Sequence, residues 1–215
     1  MDIWNKDIEK YILEHIEAEP DVLKKLTRQT HLHTLKPRML SGHLEGRILK
    51  LMCEVTRAKK VIEIGTFTGY SALCFAEGLP ADGEVHTFEI NDEMEEFLNS
   101  VFEGAGEDGQ KVHLHIGDGK SLIPEVLEDD SFDVAYLDGN KRTYVEDLEA
   151  IYPKMRKGAL IIADNTLWDG HVLETESKDA QTVGIKKFND LVASDTRFET
   201  VMLPLRDGMT LIRKK

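Results

Sequence analysis

Five short apolar runs, each with a carboxylate at or near its last residue, dictate most of what this chain of 215 residues becomes. They read VIEIG at 61–65, EVHTFEI at 84–90, VHLHIGD at 112–118, FDVAYLD at 132–138 and ALIIADN at 159–165. Their length and β-branched content suit strands, and most are apolar on both parities, as strands covered on both faces must be. Between them lie segments of helical periodicity at 70–77, 92–103, a short one ending near Leu127, and 142–155. A further helix at 183–193 precedes FETVMLPL and DGMTLIRK, joined through Arg206-Asp207-Gly208. The Asp-Gly pair there signals a turn between antiparallel strands. Repeated strand–helix units predict an α/β fold, a doubly wound parallel sheet with a hairpin added at its edge.

Ahead of the first strand, helical periodicity runs over about 3–17, 21–34 and 42–56, with Ile8, Ile12 and Ile16 on one helix and Leu44, Ile48, Leu51 and Met52 on another. No linker or repeat divides the chain, which reads as a single domain over 1–215, with a helical part at 1–56 and an α/β core at 57–215. The 27 basic residues against 40 acidic ones leave a net charge of −13, which argues against nucleic-acid or membrane partners. The acidic N-terminal stretch has no signal-peptide pattern and no apolar run approaches the length of a membrane span, so a cytoplasmic location is expected. Cys53 and Cys74, isolated in apolar helical contexts, are expected as buried thiols.

In open α/β sheets, ligands bind beyond the carboxyl ends of the strands. The corner VIEIGTFTGY carries glycines only at 65 and 69, without the third glycine of a dinucleotide fingerprint. Glu63 beside it would repel a phosphate and suits an ammonium, while Gly65 permits close approach and Ser71 with the first helical N–H groups suits a carboxylate. Such a pocket takes an amino acid. Glu89, placed 24 residues after Gly65, is positioned to accept from ribose hydroxyls, and Asp118 from an adenine amino group. Together these describe S-adenosylmethionine. At the neighbouring strand ends, Asp138, Asp164 and Asn165 offer hard oxygen ligands for a divalent cation such as Mg²⁺. Lys141, three residues past Asp138, is a candidate base for a substrate hydroxyl.

The segments MLSGHLEG (39–46), VIEIGTFTGYS (61–71), FEIN (88–91), YLDGNK (136–141), ADNTLWDG (163–170) and LPLRDGMTLIRK (203–214) resemble the cation-dependent, class I O-methyltransferases of the caffeoyl-CoA and catechol type. The resemblance implies a Rossmann-like, mostly parallel seven-stranded sheet with an antiparallel last strand and extra N-terminal helices, commonly in a homodimer. It implies a cation (Mg²⁺, with Mn²⁺ or Ca²⁺ as substitutes) held by Asp138, Asp164 and Asn165, and Lys141 as base. Adenosylmethionine contacts are implied for Met39, Ser41, Glu63, Gly65, Phe67, Ser71, Glu89, Asp118 and Asp138. Asn140 stands where the plant enzymes usually carry an acidic residue, and Asp169 where they carry an amide.

The expected reaction is methyl transfer from adenosylmethionine to a hydroxyl of a small aromatic bearing vicinal hydroxyls, chelated by the cation. A tRNA acceptor carrying a hydroxylated wobble uridine is the alternative, and a nicotinamide dehydrogenase or a catalytically silent cofactor-binding protein are the rivals outside this chemistry. Trp168 and His171 either wall the substrate or pack the loop. His31 and His33 are expected at a helix end or in a loop, and His113 and His115, alternating on one face of the third strand, as exposed edge or packing residues.

Overall fold

The computed structural model describes residues 6–215. Helices α1 (Lys6–Glu14), α2 (Asp21–His33) and α3 (His43–Thr56) come first. There follow β1 (Lys60–Ile64), α4 (Tyr70–Gly78), β2 (Glu84–Glu89), α5 (Glu95–Glu103), α6 (Glu107–Gln110) and β3 (Val112–Ile116). The second half runs α7 (Gly119–Val126), β4 (Phe132–Leu137), α8 (Tyr144–Ile151), β5 (Met155–Asp164), α9 (Ala180–Ser194), β6 (Phe198–Leu203) and β7 (Met209–Lys214). Among the described residues, seven strands form one sheet in the order β3-β2-β1-β4-β5-β7-β6, parallel except for β7, which runs antiparallel to both its neighbours. The doubly wound sheet with its terminal hairpin is therefore observed.

Side-chain alternation divides the core between the two faces of the sheet. Val61, Val134, Tyr136 and Ile162 point to the side packed with Leu49, Phe75, Leu98 and Phe102 from α3, α4 and α5. Ile62, Ala135, Leu137 and Ile161 point to the other, against Ile123, Leu148, Ile185 and Phe188 from α7, α8 and α9. Cys53 and Cys74 are buried, unpaired thiols in the first of these layers. No helix among the described residues is long and apolar enough to cross a membrane.

Several element boundaries differ from the periodicity. The expected start of the first helix at residue 3 lies outside the described residues, and the helix ends at Glu14. The segment expected as one helix over 142–155 is helical in α8 only from Tyr144 to Ile151. Pro153 sits in the short 3₁₀ turn Tyr152–Lys154 that follows, because proline has no N–H to continue the helix. Strand β5 consequently starts at Met155, and its register against β4 jumps from Phe132↔Met155 to Val134↔Leu160, leaving Arg156, Lys157 and Gly158 bulged out. Helix α9 begins at Ala180, because the Asp179 side chain caps it by accepting from Thr182 N–H at 2.7 Å. On α3 the buried residues include Glu45, Leu49 and Cys53, while Leu51 is half exposed at 52%.

The N-terminal helices close over the glycine corner. Thr30 of α2 is fully buried and donates to the Thr68 hydroxyl at 3.0 Å, and the Tyr70 hydroxyl donates to Glu19 at 2.7 Å. Arg47 of α3 grips Glu77 of α4 through two bonds of 2.9 and 2.6 Å. Gly65 turns the chain out of β1 at a φ of +107°, and a Cβ there would lie 2.5 Å from the carbonyl oxygen of Asp138. The glycine is thus required by the approach of the chain to itself, between the end of β1 and the end of β4. Gly65→Ala should cost at least the roughly 1–3 kcal/mol of a forbidden backbone conformation, read as a lower denaturant midpoint; an unchanged midpoint would show that this corner adapts.

Candidate active site at the strand ends

The parallel strands bring their carboxyl ends to one edge of the sheet, and the register sets who stands beside whom. Leu137 pairs with Ala163, so Asp138 and Asp164 leave neighbouring strands side by side. Ile64 pairs with both Phe88 and Leu137, so the β1 corner lies between Glu89 and Asp138.

Glu63 is fully buried beneath this edge. Its Oε2 accepts from the Thr87 hydroxyl at 2.5 Å, and Oε1 is buried with no hydrogen-bond partner. Burial pushes its pKa up to about 8; the Ser71 and Thr87 hydroxyls draw it down, and the Asp138 and Glu89 carboxylates add to the rise. An orphaned oxygen of this kind leaves room for a ligand hydrogen-bonding group, and an ammonium brought to it would favour the ionised carboxylate. Glu89 is held rigidly, with Oε2 accepting from Phe67 N–H at 2.8 Å and Oε1 from Asn91 N–H at 2.9 Å. Phe67 takes a φ of +51° to make its bond. Ser71 is buried in the first turn of α4. Asp118 stands ahead of α7, paired with Lys120 at 2.8 Å and accepting from the Ser121 hydroxyl at 3.2 Å. Met39 is exposed in a 3₁₀ turn, while Ser41 is buried.

The second cluster surrounds Asp164. Burial raises its pKa well above the usual carboxylate range, the Glu45 and Asp138 carboxylates push it further, and Lys141 partly opposes them. Several carboxyl groups crowded into a buried corner are an arrangement that a divalent cation relieves, and their hard oxygens suit Mg²⁺ or Mn²⁺. Asn165 follows in the left-handed conformation, at a φ of +54°. Its successor Thr166 is clamped from three directions: its N–H donates to Gly208 O at 3.0 Å, its carbonyl accepts from Asn189 at 2.8 Å, and its hydroxyl accepts from Thr210 at 2.8 Å. The β6–β7 hairpin thereby fixes the loop that carries Asn165.

Lys141 is 95% shielded, with a relative exposure of 5%. Its ammonium donates to Asp138 Oδ1 at 2.8 Å and to the Tyr144 hydroxyl at 2.7 Å. That hydroxyl lies 2.9 Å from Leu137 O and 3.1 Å from Asp164 O, the backbone ends of β4 and β5. Gly184 of α9 allows the close packing behind the lysine, since a Cβ there would fall 2.3 Å from the Lys141 carbonyl.

A family profile described as O-methyltransferase matches residues 13–215. The chain belongs to the O-methyltransferase family. It is an S-adenosylmethionine-dependent O-methyltransferase. The methyltransferase is 33% identical over 218 residues to a caffeoyl-CoA O-methyltransferase of Petroselinum crispum, covering 95% of this chain and 89% of that one. It is 31% identical over 223 residues to the Stellaria longipes protein of the same name, covering 99% and 92%. An O-methyltransferase of Streptomyces achromogenes involved in tomaymycin synthesis, solved in complex with SAM, superposes with a TM-score of 0.91 at 26% identity, covering 100% and 98%.

The residues that brace the strand-end cluster carry no motif of their own in the sequence. Glu45 is 1% exposed, accepts from the Tyr136 hydroxyl at 2.6 Å, and is bridged by Arg206 from the β6–β7 turn. Arg206 also donates to the carbonyl of Ser41, tying the hairpin to the segment bearing Met39. The available signal was a carboxylate on the buried stripe of α3, in line with Leu49 and Cys53. Trp168 packs partly buried against the core beside α8 and α9, whereas His171 is exposed and pairs with Glu174 at 2.5 Å. Asn140 caps the turn before α8, accepting from Arg142 N–H at 3.2 Å.

The Glu63 carboxyl gives a pH signature. Its folded pKa of about 8 exceeds the ordinary 4.5, so the folded chain holds the proton more tightly than the unfolded one. The stability from this proton is complete below 4.5 and is lost as pH rises toward 8. Glu63→Gln, neutral at every pH, should flatten that decline in ligand-free protein and be the more stable variant at alkaline pH. Denaturant titrations across pH with identical slopes for both chains would remove the buried proton.

Proposed function

We propose that this methyltransferase acts on a small aromatic of the catechol or caffeoyl type, through two neighbouring hydroxyls gathered on a divalent cation. The observation that carries the reading is the burial of Asp164 beside Asp138, with Lys141 bonded to one of the pair. The curated relatives named as caffeoyl-CoA O-methyltransferases support it.

On this reading Asp138, Asp164 and Asn165 hold the cation. Glu63 and Ser71 receive the amino-acid end of adenosylmethionine, Gly65 and Phe67 line the corner, Glu89 takes the ribose and Asp118 the adenine. Met39 and Ser41 cover the cofactor, with Asp138 facing it from β4. When bound, adenosylmethionine supplies an electrophilic methyl group and the cation a Lewis acid for neighbouring oxygens. Lys141 takes the proton of the reacting hydroxyl, and Tyr144 and Asp138 fix where its nitrogen stands. Asp138 would be shared between the cation and the Lys141 ammonium, to which it is bonded at 2.8 Å. The exposed apolar side chains Leu32, Leu35 and Val55 on and beside α2 and α3 support assembly as a homodimer.

Chelator should abolish methyl transfer and Mg²⁺ or Mn²⁺ restore it, and Asp164→Ala should lose that response while remaining folded. Full turnover in chelator would leave a cation-independent methyltransferase, and a panel of catechols, flavonoids and caffeoyl-CoA with labelled cofactor identifies the acceptor.

Lys141→Ala should cut turnover about 10²–10⁴-fold, the scale of general base catalysis. Cofactor affinity should hold, and Lys141→Arg should not rescue the rate because arginine keeps its proton. Restored turnover in the arginine variant would reduce Lys141 to a source of positive charge.

A further inference from the structure

At the opposite end of β2 from Glu89, a second group of metal-binding side chains meets outside the methyltransferase site. Glu84 and His86 project from the same face of β2, two residues apart, and His113 stands directly beside His86 on the edge strand β3. One ligand atom from each of Glu84, His86 and His113 lies within 4.8 Å of the others. His86 Nε2 is 3.5 Å from Glu84 Oε2. The His86 ring is stacked on His113 at 4.8 Å between centroids.

The group is organised beyond its three ligands. His86 Nδ1 lies 3.1 Å from His115 Nε2, so a proton on Nδ1 leaves the lone pair of Nε2 facing Glu84. Phe132 meets the His86 ring edge-on at 5.5 Å, and Phe88 stacks on His115 at 4.6 Å. Both rings are thereby held in place. Burial, then the neighbouring His113, brings the His86 pKa down to about 4, and the same two causes lower His115, so these imidazoles are neutral and available at physiological pH. Glu84 is also paired with Lys60 at 3.2 Å, but both side chains are more than a third exposed and such a pair is readily displaced.

We propose that Glu84, His86 and His113 form a second cation site for a borderline transition metal of the Zn²⁺ class, with His115 orienting His86. Two imidazoles and one carboxylate select Zn²⁺, Co²⁺ or Ni²⁺ over Mg²⁺, which prefers oxygen. Zinc bonds of about 2.0–2.2 Å require the three side chains to close inward by roughly 1 Å, which the exposed His113 and half-exposed Glu84 allow. Water completes the coordination. A metal here joins the edge strand to β2 and stabilises the folded state by mass action.

The test is a titration of tag-free, chelator-treated full chain with ZnCl₂ in millimolar Mg²⁺, by calorimetry, repeated with Co²⁺ to read the visible absorption of the bound ion. Wild type should bind one more equivalent of Zn²⁺ than His113→Gln, a substitution at an exposed edge position that leaves methyl transfer unchanged. The same equivalent should persist in Asp164→Ala, which disables the strand-end site. His115→Phe should weaken it about 10–100-fold, the usual cost of losing an orienting partner. Identical titrations for wild type and His113→Gln, or loss of all Zn²⁺ binding in a folded Asp164→Ala, would overturn the proposal.

Discussion

The constraint around which this structure is arranged is the gathering of carboxyl groups at one buried edge of the sheet. Glu45, Glu63 and Asp164 each have a pKa raised chiefly by burial, and each feels at least one other carboxylate nearby. Isolated buried charges are costly, so such groups must be protonated, paired or met by a ligand cation. Arg206 meets Glu45, and Lys141 meets Asp138. Glu63 keeps an orphaned oxygen. Shifted acids gathered in this way at the carboxyl edge are the reason the edge is the candidate site.

Holding these groups apart from water and at fixed spacing takes the rest of the local architecture. The parallel register sets Asp138 beside Asp164, and hydroxyls from Thr87, Tyr136 and Tyr144 orient the acids, the lysine and the strand ends. The β6–β7 hairpin reaches back over both sides of the site, clamping Thr166 through Gly208 and Thr210 and linking Ser41 to Glu45 through Arg206. That hairpin is the one antiparallel element of a parallel sheet, and its turn lies at the edge where the other strands end.

Much of this was legible because strand identity and ligand chemistry share the same residues. A run such as FDVAYLD is apolar enough to be a central strand, and a carboxylate closing it must emerge at the carboxyl edge; β4 is buried throughout its length. The supports were harder to read. Glu45 precedes the sheet by a whole helix, and Arg206 is separated from it by 161 residues, so no local pattern joins them. Tyr136 and Tyr144 are fully buried core aromatics whose hydroxyls meet Glu45 and Lys141 only through the fold. Helix ends failed where a single residue overrode periodicity, as Pro153 did after α8 and Asp179 did before α9. His113 and His115 were correctly placed on an edge strand, yet their partner His86 lies in another strand and becomes a neighbour only through the β2–β3 register.

The two ends of β2 now show how one strand serves opposite chemistries. Glu89 and Glu84 are five residues apart, about 16 Å at the rise of a strand. At the Glu89 end, neighbours from β1, β4 and β5 contribute oxygen, and the surroundings are buried. At the Glu84 end, β3 contributes imidazole nitrogen, and His113 faces solvent. Hard cations and borderline cations distinguish these donor sets by their own bonding preferences. On the proposed assignments, the strand-end cluster of Asp138, Asp164 and Asn165 offers oxygen alone, and the imidazoles at the Glu84 end favour a borderline cation. The period of two along β2 and β3 is what produces this, because it sends Glu84, His86, His113 and His115 to a single face while Val85 and Thr87 pack the other.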